Sequence, residues 1–168
     1  MSETTHPQSN GTLAGAAESE QQSTRPRTKM LELARPECLR LLATTSIGRV
    51  VVSVPAWDHP MIRPVNYLFD ESSQSVLLRS AMGSKLHSLL RSARAAFEID
   101  GIDHAGDVGW SVIITGVCEE ITATAELRRV EAFGLEPWAP GTEGHWIRIR
   151  ANVISGRRIV TAAPAVHI

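Results

Sequence analysis

Lysine is almost absent from this chain of 168 residues: only Lys29 and Lys85 carry an ammonium group, and arginine supplies the rest of the positive charge. The formal net charge is −1. No global basic field draws such a chain to nucleic acid or an anionic membrane, so any anion site has to be local. Cysteine is equally scarce. Cys38 and Cys118 lie in apolar surroundings with neither CxxC nor Cys/His spacing, which argues against a secreted disulfide framework and leaves two small buried hydrophobes. Long apolar runs are missing, and Met1 to Thr28 has no basic start followed by an apolar stretch. The expectation is a cytoplasmic protein, neither exported nor embedded in a membrane. His59, His87, His104 and His145 show no metal-ligand spacing, so no metal is expected, and no Ser/His/Asp order suggests itself.

What is present begins after a tail. Residues 1–30 are rich in Ser, Thr, Gln, Gly and Glu and lack hydrophobic periodicity, which predicts disorder, with one domain over 31–168. Pro36 and Glu37 open a short helix that ends near Thr44. Ile47 to Val54 and Met61 to Phe69 read as two strands of a hairpin, and Val76 to Ser80 as a third strand after a turn over Asp70 to Ser73. A helix follows from Ser84, with Leu86, Leu89, Leu90 and Ala93 on one side. Ala95 to Asp100 and Trp110 to Ile121 are strands. A second helix over Ala125 to Phe133, capped by Thr122 or Thr124, precedes a last strand pair around Trp146 to Arg150 and Ile154 to Val160. Hairpin-length connections favour an antiparallel β-barrel with flanking helices over a doubly wound sheet. Val50 to Val52 and Val112 to Ile114 are apolar on both faces, and a twin subunit is the simplest cover for the outer one.

One segment concentrates chemistry. Arg79 and Ser80 end a strand, and Gly83, Ser84 and Lys85 start a helix. A helix N-terminus with an arginine fork, a lysine and two hydroxyls suits a phosphate. The same residues also fit a plain Ser84 helix cap with Arg79 and Lys85 on a solvated rim. Glu98 and Asp100 share a strand face, read as a solvated or barrel-mouth face rather than a catalytic pair.

Four pieces in this order, Ile47-Gly48-Arg49-Val50, Pro64-Val65-Asn66-Tyr67, Leu78-Arg79-Ser80 with Gly83-Ser84-Lys85, and Phe97 to Asp100 leading to Gly109-Trp110-Ser111-Val112, resemble the pyridoxamine 5′-phosphate oxidase-like, FMN-binding split-barrel family. The resemblance spans Leu39 to Val160. It implies a Greek-key-like split barrel and a homodimer with FMN at the interface. It gives Arg79, Ser80, Ser84 and Lys85 to the phosphate, lays Pro64, Val65, Asn66 and Tyr67 along the isoalloxazine, and brings Trp110 and Ser111 from the partner subunit. Trp110 can equally plug the barrel, and Trp146 ranks below it. Gly156-Arg157-Arg158-Ile159 stands where the vitamin-processing oxidase of the family has an Arg-x-His substrate motif, which argues against oxidation of pyridoxamine phosphate. The expected function is that of a flavin-dependent oxidoreductase with the catalytic residues and substrate unassigned. The alternative is a protein that stores or senses flavin or deazaflavin F420.

Overall fold

The computed structural model describes residues 28–53, 59–80, 90, 94–103, 108–136 and 144–161. In chain order these form β1 (Thr28–Glu32), α1 (Arg35–Leu42), β2 (Ile47–Val52), β3 (Met61–Asn66), β4 (Leu68–Asp70), β5 (Ser75–Ser80), β6 (Arg94–Asp103), β7 (Val108–Glu120), α2 (Thr124–Glu131), β8 (His145–Arg150) and β9 (Val153–Thr161). Thr28 to Met30, read from sequence as tail, are part of β1, which pairs with β9. The helix expected from Ser84 lies outside the described residues except Leu90, which is helical and wholly buried.

Every described strand pairing is antiparallel, and the strand order is β3-β2-β6-β7-β8-β5-β4, with β9 beside β7 and β1 beside β9. The two ends of that order, β3 and β4, are consecutive in sequence and joined by Tyr67 alone, so the sheet curls back on itself as a split barrel. Sequence reasoning read Met61 to Phe69 as one strand. It breaks at Tyr67 because that residue gives its backbone N–H to the Ser46 carbonyl at 3.0 Å and turns its side chain inward. The phenol donates to the Leu42 carbonyl at 2.7 Å and meets Thr45 Oγ1 at 2.6 Å, while the ring stands edge-on to Phe97 with centroids 4.7 Å apart.

Strand β7 is the hinge of the curl. Trp110 to Thr115 pair with β9, and Cys118 to Glu120 leave that partner for β8. Between them, at Gly116, the Arg150 carbonyl comes so near that a Cβ would lie 1.9 Å from its oxygen. Only glycine lets two backbones approach so closely.

Period-2 alternation buries Gly48, Val50 and Val52 of β2 against Phe97, Ile99, Val112 and Ile114, and α1 closes this core with Cys38, Leu41 and Leu42. Fully burying each large apolar side chain contributes roughly 1.5–3 kcal/mol. A second cluster, Leu77, Ile121, Val130 and Trp146, lies under α2, so β5 is apolar on both faces. The expected threonine cap is not made: Ala123 holds the N-cap position with no side-chain bond, and Thr124 is already helical. Packing of Val130 and Leu127 on the second cluster holds this helix in place of a cap. Neither described helix is long and apolar enough to cross a membrane.

Candidate functional site

Arg79 and Ser80 end β5 as expected, but successive strand residues point to opposite faces, and these two diverge. Arg79 shares its face with Trp146, its register partner on β8, and its guanidinium carbon sits 5.5 Å from the indole centroid. Its Nε is buried and has no hydrogen-bond partner. Other arginines reaching into the fold hold carboxylates: Arg129 with Asp70 at 2.8 Å, Arg148 with Glu119 at 2.7 Å, and Arg158 with Glu37 at 2.9 Å. Arg79 holds none among the described residues. A half-buried cation without a counter-charge is costly.

Ser80 is buried on the other face, across the ladder from His145, whose Nδ1 meets the Glu120 carboxylate. Ser84 and Lys85 lie outside the described residues. Pro64, Val65 and Asn66 run along β3, which among the described strands pairs only with β2; proline, lacking an N–H, suits such an edge. Asn66 Nδ2 donates to the Glu136 carbonyl at 2.7 Å. The Tyr67 side chain belongs to the core, where burial pushes its phenol up to about 12.

Trp110 and Ser111 lie near the start of β7, opposite Gly101 and Asp100 on one side and Arg158 and Arg157 on the other. About ten strand residues, or roughly 30 Å of extended chain, separate them from the β8 end of β7 where Arg79 sits. Along β7, Trp110 and Arg79 therefore stand at opposite ends of the strand. A shallow cavity of about 340 Å³ opens beside Trp110, Ser111, Met30 and Arg157. A larger groove of about 680 Å³ runs along β4 between Thr45, Phe69, Asp70, Arg129 and Phe133.

The carboxylates Glu98 and Asp100 both bind Arg49, the former at 2.9 Å, on the outer, partly solvated sheet face. Burial pushes the thiol of Cys118 up to about 12 and that of Cys38 above its usual range, as suits small core residues. No group of three His, Cys, Asp or Glu able to hold a metal occurs among the described residues. Sequence reasoning did not foresee the Arg79–Trp146 contact or the His145–Glu120 pair. Both arise from ladder pairings between distant strands, which leave no local signal.

The sequence matches the pyridoxamine 5′-phosphate oxidase family over residues 34–158. An uncharacterized protein of Mycobacterium tuberculosis is 33% identical over 137 residues, covering 79% of this chain and 87% of that protein. The solved structure of the FAD binding protein from Mycobacterium smegmatis superposes with a TM-score of 0.66 at 34% identity, over 76% of this chain and 98% of that one. A conserved protein of unknown function from Corynebacterium diphtheriae gives 0.64 at 30% identity, over 79% and 98%.

Proposed function

The chain belongs to the pyridoxamine 5′-phosphate oxidase family, and on that premise we propose that it binds a flavin nucleotide by its phosphate and serves as a flavin-dependent oxidoreductase. The observation that carries this reading is Arg79, a half-buried cation over Trp146 with an orphaned Nε and, among the described residues, no carboxylate partner. A phosphate oxygen supplies the missing acceptor and the missing charge together. The phosphate ligands read from sequence also include Ser84 and Lys85, which lie outside the described residues, and Ser80, whose side chain is on the face opposite to that of Arg79. Pro64, Val65 and Asn66, on an edge that pairs on one side only, lie along the ring system with backbone groups available to its polar rim. When bound, the flavin supplies the electron chemistry; the protein positions the ring and excludes water.

Trp110 and Ser111 complete the site of a second subunit in a homodimer, which is consistent with their distance from Arg79 in their own chain. The outer sheet face supports such a dimer. Ile47, Ile62, Ile113 and Val153 are 46%, 53%, 42% and 65% exposed there, aliphatic surface that a twin subunit would cover.

FMN is the cofactor read from sequence, and the similar M. smegmatis protein binds FAD. Both carry the anionic handle that Arg79 lacks. Absorbance and mass of the ligand released on denaturation decide between them, and bleaching of the bound flavin under NADH or NADPH tests for turnover. A colourless protein that takes up neither nucleotide overturns the reading.

A further inference from the structure

Trp146 is 2% exposed, and its indole Nε1 has no hydrogen-bond partner. Buried indole N–H groups almost always find an acceptor, so this one calls for an explanation. It is not an isolated case: Arg79, its register partner, carries the other orphaned buried nitrogen, and the guanidinium lies over the indole itself. The neighbouring charged group on that face of β8, Arg148, is itself a donor, and it engages the carboxylates beside it, Glu119 at 2.7 Å and Glu126. Two adjoining donors, one of them charged, are thus left without an acceptor. That is the partner set of an oxyanion.

We propose that the Trp146 indole N–H donates to the same phosphate group that Arg79 neutralises, making Trp146 a specificity residue for phosphorylated flavins over riboflavin. The inference rests on the flavin reading above and adds a ligand to its site. The packing makes Trp146 a fixed donor: Leu77, Ile121 and Val130 hold the indole from the core side. The ring in turn steadies the guanidinium through its π-face, so a phosphate meets a fork already oriented.

The test is the affinity of Trp146→Phe for FMN, FAD and riboflavin, with far-UV circular dichroism and a thermal melt to check the fold. Phenylalanine keeps an aromatic face beneath Arg79 and removes the N–H. Loss of one hydrogen bond to a charged group should weaken binding of the nucleotide that the protein carries by about tenfold or more, and leave riboflavin unchanged. Equal nucleotide affinities for variant and wild type overturn the proposal while the flavin reading stands. Should the variant not fold, the wild-type protein still decides. Its Trp146 indole N–H resonance, assigned by eliminating Trp57, Trp110 and Trp138 through single Phe variants, should move downfield with the nucleotide and stay in place with riboflavin. A stationary resonance in a protein saturated with nucleotide overturns the proposal. A protein that binds neither FMN nor FAD removes the flavin reading and this inference together.

Discussion

At the scale of single residues, most of the partly buried arginines among the described residues are held by a carboxylate, and Arg79, on which the proposed site rests, is not. Asp70 shows the rule. Its carboxylate is buried, which alone would raise its pKa, but Arg129 at 2.8 Å and the hydroxyls of Ser72 at 2.7 Å and Ser73 at 2.5 Å hold it well below the ordinary carboxylate range. A carboxyl more acidic in the folded chain than in the unfolded one stabilises the fold fully above the unfolded value near 4, and that contribution fades as pH falls through the lower folded value. Arg129→Ala should therefore cost about 1–3 kcal/mol at neutral pH, with the gap to wild type closing in acid. Denaturant melts at pH 7 and pH 3 check both parts; a gap that widens in acid would contradict the assignment. Arg79→Ala should behave oppositely in the ligand-free protein, costing little stability, because no carboxylate loses its partner.

At the scale of elements, β7 decides the architecture. Its thirteen residues serve β6 and β9 along most of their length and then β8, and Gly116 marks the change of partner. Gly116→Ala forces a Cβ against the Arg150 carbonyl, a backbone atom that cannot swing aside, and should cost about 3 kcal/mol or more in the denaturant midpoint. A midpoint within error of wild type would show that the strands meet elsewhere. Most elements were legible in the sequence because their cues are local: β-branched runs for β2 and β7, Pro36 and Glu37 at the start of α1, and turn residues before β5. The break at Tyr67 was not, because it depends on the tyrosine finding Leu42, Thr45 and Phe97, contacts that no neighbouring residue announces. The cap of α2 failed for a related reason, as tertiary packing sets where that helix begins. For the site, motif order pointed to Arg79, but its pairing with Trp146 follows from the β5–β8 register, which sequence spacing does not encode.

At the scale of the whole molecule, the proposed homodimer would cover the aliphatic residues on the outer sheet face of the split barrel. Light scattering at micromolar concentration should return the mass of a dimer; a monomer mass would remove the shared-site arrangement. The central claim is that a flavin nucleotide is held by its phosphate at the Arg79 corner, and one titration tests it most directly. FMN, FAD and riboflavin are added in turn to wild type and to Arg79→Ala combined with Lys85→Ala. Charge-assisted bonds to phosphate contribute roughly 1.5–3 kcal/mol each, so the double variant should bind the nucleotide at least about a hundredfold more weakly and riboflavin as well as wild type does. Unchanged nucleotide affinity in a folded double variant would contradict the account.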